Sequence, residues 1–175
     1  MAGYPGSPLP KKLGIKAGHK VCLLNAPGAF ERSVASDDVR ITRDLRHALN
    51  DVVVMFVDSL EELERRVTDV VGRLHPAGGL WVAWRRSSRR VSEDVVRRIA
   101  LAAGLNANKA LLIDASYASV RLVLRDEIRA AMAYRAEPPP ISRRTRRPTA
   151  RIAPRIARAS AGGSSLRRAR ARSAK

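Results

Sequence analysis

Six residues of this 175-residue chain combine useful side chains with useful places in the hydropathy pattern: Asn25, Gly28, Asp58, Trp84, Arg85 and Asp114. Each follows or closes a short apolar run, and open α/β sheets take their ligands across the carboxyl ends of the strands. Gly28 offers a turn through which backbone can approach a ligand. Arg85 and its neighbour Arg86 would counter the charge of a small anionic or nucleotide-like molecule lying over it. The competing reading is structural: Gly28 makes a turn, Asp58 caps a strand end and Trp84 packs.

Other chemistry finds less support. His19, His47 and His75 are scattered without a second ligand at useful spacing, so no metal site is expected. Cys22, the only cysteine, falls in a buried strand, where a thiol behaves as a small hydrophobe. It allows neither an internal disulfide nor a multi-cysteine metal site and suits a reducing compartment. The sequence supports no Ser-His-Asp grouping, paired-carboxylate motif or Gly-x-x-x-x-Gly-Lys loop, and no catalytic residue is named. Arg85–Arg90 and Arg97-Arg98 read as a solvated basic surface, since seven aromatic side chains leave few platforms for stacking bases.

The elements that must hold the six residues are readable from periodicity. Lys20–Ala26 is a short apolar run ended by Pro27-Gly28, a first strand and turn. Phe30–Ala35 is ambiguous, and Val39–Leu45 alternates as a short or edge strand would. Asp51–Asp58 is apolar on both faces, as a central parallel strand is. Ser59 and Glu62 have capping-box spacing, and Leu60, Leu63, Val67, Val70 or Val71, and Leu74 then form one helical stripe. His75–Gly79 is expected to stop that helix and Leu80–Trp84 to be the next strand. Ser92 is expected to cap a helix with Glu93 and Asp94 in its first turn, and Gly104 to end it in a left-handed conformation. Ala110–Ala115 and Ser119–Arg125 are too closely joined to be anything but an antiparallel pair. The expected fold is a three-layer, Rossmann-like α/β domain with a mostly parallel sheet ending in an antiparallel hairpin.

Residues 1–19, with Pro5, Pro8 and Pro10, are expected to be a flexible arm without a regular helix before Lys11. Residues 20–136 form the α/β domain. Residues 137–175, rich in Arg, Ala, Ser and Pro, cannot bury a core and are expected to be a disordered tail. The net charge of +18 divides accordingly: residues 1–142 carry 22 Lys and Arg against 16 Asp and Glu, or +6, and residues 143–175 carry 12 against none, or +12. Arg143, Arg144, Arg146, Arg147, Arg167, Arg168, Arg170 and Arg172 are therefore the residues to neutralise nucleic-acid phosphates, non-specifically and with steep salt dependence. Equally, such composition is what GC-rich DNA encodes in a shifted frame. No run of about 18 apolar residues offers a membrane span, and the amino terminus lacks a secretory layout, so the chain is expected to be soluble and cytoplasmic.

Two resemblances follow. GYPGSPLPKKLGIKAGHKV, DVVVMFVDSLEELERRV, GGLWVAW, EDVVRRIALAAGL and the Asp-centred hairpin resemble a family of small bacterial proteins known only as a domain of unknown function, number thirty fifty-two. The likeness covers most of residues 2–125 and brings no activity with it; where that family usually has Trp-Ser after the hairpin aspartate, this chain has Tyr117-Ala118. Separately, LHPAGGLWVAW, Asp51-Val-Val-Val and the terminal hairpin are similar to the later half of class I S-adenosylmethionine-dependent methyltransferases. That resemblance implies a cofactor turn of the Gly-x-Gly type after the first strand and an acidic residue for the ribose. Here the turn reads NAPGAF, Pro27 lacks an N–H, only Gly28 is available, and Asp44 matches the ribose carboxylate poorly.

Together these observations lead to an α/β domain that is a non-enzymatic small-ligand or protein-binding module with no cofactor. The alternative is a diverged methyltransferase-like protein using S-adenosylmethionine through Asn25–Phe30, and a second alternative is nucleic-acid binding through the tail.

Overall fold

A computed structural model gives the fold; it describes residues 6–46 and 49–136, the side chains of 133–136 excepted. Six strands form one sheet: β1 Lys20–Leu24, β2 Arg40–Thr42, β3 Asn50–Val57, β4 Leu74–Arg85, β5 Leu105–Leu112 and β6 Tyr117–Leu124, in the order β2-β1-β3-β4-β6-β5. β2, β1, β3 and β4 run parallel, and β6 runs antiparallel to both β4 and β5. β5 therefore points the same way as β4, and one reversed strand lies between two like-directed ones. The expected Rossmann-like α/β class holds.

Helices cover both faces. α1 Leu9–Leu13 and α2 Gly28–Val34 lie on one side, where Leu13, Phe30 and Val34 bury with Val21, Leu23, Val52, Val54, Phe56 and Trp81. α3 Leu60–Val71, α4 Glu93–Ala102 and α5 Asp126–Ala136 lie on the other, where Leu63, Val67, Val96 and Ala100 meet Val53, Met55, Leu80, Val82 and Leu122, with Ile128 packed against them. Alternate residues of β3 and β4 feed opposite cores, as the two-residue strand period requires.

The helix ends show which sequence signals act. Ser59 Oγ accepts the Glu62 N–H at 3.2 Å, half of a capping box, while the Glu62 carboxylate reaches away to Asn25. Hydrogen bonds from its own backbone N–H and from Ser59 hold the Glu61 carboxyl below its usual range. Ser92 is the N-cap residue of α4, with Glu93 and Asp94 in the first turn as expected, but its side chain makes no cap bond. Gly104 is left-handed (φ 85°), and a Cβ on it would run into Ile128 Cδ1 of α5.

Three further expectations change. The amino-terminal arm is not without helix before Lys11: α1 begins at Leu9, because Pro10 stands in the first turn, where no intrahelical donor is needed. Its far end is fixed to the sheet, since Trp81 Nε1 donates to the Leu13 carbonyl at 2.9 Å, both residues fully buried. Phe30–Ala35, ambiguous in sequence, falls mostly in α2. His75–Gly79 does not merely end α3. Leu74 belongs to β4, and the pairing shifts from Asn50 with Leu74 to Val52 with Gly79, so the segment with Pro76 is accommodated as an irregularity of the strand.

A smaller bulge lies in β5. Ala107 pairs with Leu122 and Lys109 with Arg121, so Asn108 is the extra residue. It inverts the alternation: Leu105 and Ala107 belong to the core under α4, whereas Leu111 belongs to the opposite one.

Candidate functional site

The chain leaves β1 through α2 toward β2 on one side, then crosses back and builds β3 and β4 on the other, so β1 and β3 are adjacent strands whose connections diverge. Open α/β sheets hold their ligands at the carboxyl ends of strands whose connections diverge in this way. Leu24 pairs with Met55 there, and the next residue, Asn25, has φ 54°, the one non-glycine residue with positive φ among those described. Asparagine tolerates this left-handed conformation better than most side chains. Its Nδ2 donates to Glu62 Oε1 at 2.5 Å, and Glu62 also pairs with Arg66 at 3.1 Å. Just after β2, Arg43 pairs with Glu31 of α2.

The six expected site residues are partly brought together. Asn25 lies in the loop after β1 and Gly28 opens α2 beside it, where a Cβ would make ordinary contact with Arg32 Nη1 at 3.6 Å. Asp58 and Arg85 stand at the ends of β3 and β4 and face each other at 3.8 Å, both well exposed. They line a recess of about 210 Å³ with Ser87 and Ser88, and the Arg85 guanidinium lies 5.5 Å above the Tyr117 ring. Trp84 is not in the site: it is 6% exposed and packs in the core of the α3 side. Strand alternation explains the difference, because Trp84 follows Leu80 and Val82 inward. Asp114 builds the turn between β5 and β6, its Oδ1 accepting the N–H groups of Ser116 at 2.7 Å and Tyr117 at 2.9 Å. The tail arginines, Arg143 to Arg172, and His47 lie outside the described residues.

Cys22 is fully buried, and its Sγ bonds the Asp44 carbonyl at 3.3 Å. Burial pushes the thiol up, as the reading of an inert hydrophobe requires. Asp44 lies two residues beyond β2 and borders a cleft of about 410 Å³ with Leu24, Arg46, Arg66 and Asp69; one of its oxygens accepts the Arg46 N–H. Sequence reading missed that Glu62 holds Asn25 and pairs with Arg66, and that Glu31 pairs with Arg43. Glu62 reads in sequence as part of a cap, and the others are ordinary surface charges until the fold joins them. Among the described residues no helix is long and apolar enough to cross a membrane.

No family model matches the chain, and no relative is found among curated proteins. The resemblance to the uncharacterised bacterial family thus rests on the quoted segments alone. Solved structures similar to the chain are S-adenosylmethionine-dependent methyltransferases in fold. A ribosomal protein L11 methylase from Lactobacillus delbrueckii subsp. bulgaricus is 8% identical over 66% of this chain and 74% of its own, with a TM-score of 0.49. A TehB-like S-adenosylmethionine-dependent methyltransferase from Corynebacterium glutamicum is 11% identical over 66% and 85%, with a TM-score of 0.45. Magnesium protoporphyrin IX methyltransferase from Synechocystis, with S-adenosylhomocysteine bound, is 10% identical over 62% and 75%, with a TM-score of 0.47. Likenesses this distant concern the fold alone. The expectation of no cofactor stands against these neighbours, of which the Synechocystis protein has been solved with S-adenosylhomocysteine and with S-adenosylmethionine bound.

Proposed function

We propose that the domain binds S-adenosylmethionine or a closely related adenosine-bearing ligand at the carboxyl ends of β1 and β3. The observation that carries this reading is the left-handed Asn25 just after β1. A Gly-x-Gly cofactor turn needs backbone that most side chains forbid, and in the loop NAPGAF asparagine adopts such a conformation where a glycine would be expected. In this reading the Asn25–Gly28 backbone would lie against the ligand.

S-adenosylmethionine supplies an activated methyl group when bound. This chain's own contribution is to shape the turn and brace it through the Asn25–Glu62–Arg66 chain. The proposal is one of binding, and no proton-transferring residue is assigned at the turn. The protein-binding and tail-mediated readings have no comparable geometry among the described residues.

Calorimetric titration of the full chain with S-adenosylmethionine and S-adenosylhomocysteine tests it. Saturable binding that is lost in Gly28→Trp, with thermal unfolding of that variant unchanged, is the expected result. Absence of any stabilisation at millimolar ligand would overturn the reading, since a ligand at one hundred times its Kd stabilises by about 2.7 kcal/mol.

A further inference from the structure

The opposite end of the sheet carries a second concave site. Between α1, the loop after it and the amino ends of the strands lies a cleft of about 430 Å³, lined on its basic side by Lys11, Lys12, Lys16, Lys109 and Arg121. Asp51 is the one acid in the lining, and its Oδ2 is taken by the backbone N–H of Lys20 at 2.9 Å. Five cations against one carboxylate leave a formal charge of +4 on the walls. His19 and His75 complete them. Each ring accepts a backbone N–H at Nδ1, from Lys16 at 3.4 Å and from Ala77 at 3.1 Å, so in the neutral form each has its proton on Nε2 as a donor.

Arg121 is the telling residue. Among the described residues its guanidinium has neither an ion pair nor a hydrogen-bond acceptor, although the residue is partly buried. Burial first, then the charge of Arg129, lowers its proton affinity. A partly buried cation without a partner is favoured by an anion placed beside it. The structure also makes room for it: a Cβ on Gly79 would come within 2.7 Å of Arg121 Nε and 2.9 Å of Nη2. The bulge at Asn108 brings Lys109 into register with Arg121, and Lys109 Nζ donates to the Lys12 carbonyl at 3.3 Å, tying the arm to this wall.

We propose that this cleft is an anion site for a compact oligophosphate, a diphosphate group held by Arg121 and Lys109 and enclosed by the lysines of the arm. The wall charge matches a diphosphate better than a single carboxylate. The concave shape favours a compact anion over an extended polynucleotide backbone, whose phosphates call for a charged track and, on single strands, for stacking rings. The site is separate from the carboxyl ends of β1 and β3 and does not depend on binding there.

The test is calorimetric titration of the full chain with inorganic pyrophosphate and, in a second arm, with ADP, at low and at physiological salt. One-to-one saturable binding is expected, at least tenfold weaker in Arg121→Gln, the loss typical of a charge-assisted contact. Gly79→Ala, which removes no charge and only displaces the guanidinium, should also weaken it. Tighter pyrophosphate than ADP assigns a free anion and the reverse a nucleotide; either supports the shared chemistry. Lys109→Gln repeats the test should thermal unfolding show Arg121→Gln misfolded. Retained affinity in both cleft variants, or loss in a control carrying Arg167→Gln, Arg168→Gln and Arg170→Gln, overturns the proposal. So does duplex DNA that displaces pyrophosphate and itself needs Arg121, which would make this a nucleic-acid surface.

Discussion

Replacing Trp81 with phenylalanine removes a single donor from the centre of the molecule. The indole is fully buried, and its Nε1–H satisfies the carbonyl of Leu13, itself fully buried, at 2.9 Å. Phenylalanine leaves that carbonyl without its partner, at a cost of about 1–3 kcal/mol. The smaller ring adds a void, about 1 kcal/mol more. A total of about 2–4 kcal/mol follows. Unfolding entropy of about 2.1 cal/mol/K per residue over roughly 130 folded residues gives ~0.27 kcal/mol/K, so Tm should fall by about 7–15 °C. The effect should also be local. Because the lost bond fixes the end of α1, limited trypsin digestion should cut the variant after Lys11, Lys12 and Lys16 well before the rest of the domain, whereas the parent chain resists there. A Tm loss below about 3 °C with unchanged cleavage at those lysines would refute the claim that this bond anchors the arm, and with it the view of α1 as a fixed wall of the basic cleft.

Two further outcomes are expected. The Cys22 thiol is raised above its ordinary 9.0 by burial, so above about that pH the unfolded chain releases a proton that the folded one keeps, and stability falls as pH rises; denaturation of Cys22→Ala at pH 8 and 10 should show a shallower decline than the parent, and identical slopes would contradict the burial argument. Asp114→Ala removes the acceptor of two backbone N–H groups and should cost about 1–2 kcal/mol in denaturant unfolding while leaving S-adenosylmethionine affinity unchanged; altered affinity without lost stability would return Asp114 to the ligand site.

Much of the fold was legible because strand and helix periods differ. Asp51–Asp58 and Leu80–Trp84 could only be central strands, and the spacing of Leu63, Val67 and Val70 set α3 on one face. The same alternation, carried one step further, places Trp84 inward. The turn at Asn25 was legible as a turn but not as left-handed, because a single φ leaves no mark on composition. Gly78-Gly79 reads as a helix stop when seen next to Pro76, yet the glycines serve a close approach to the Asn50-Asp51 backbone and to Arg121. The basic cleft is drawn from residues near positions 11, 19, 51, 75, 109 and 121. Each reads alone as a solvated charge, and only the pairing of β5 with β6 and the docking of α1 make them neighbours.

The bulge at Asn108 has a consequence for how the chain can vary. β5 is an outer strand, and a residue lost from an exposed edge is ordinarily among the gentler deletions. Here the count matters: without Asn108, Lys109 and Leu111 would both turn to the α4 face, sending a charge toward the core under α4 and withdrawing a leucine from the opposite core. Sequence drift by substitution is open to this strand, whereas drift in its length is closed, and the one-residue surplus acts as a phase marker for everything beyond it.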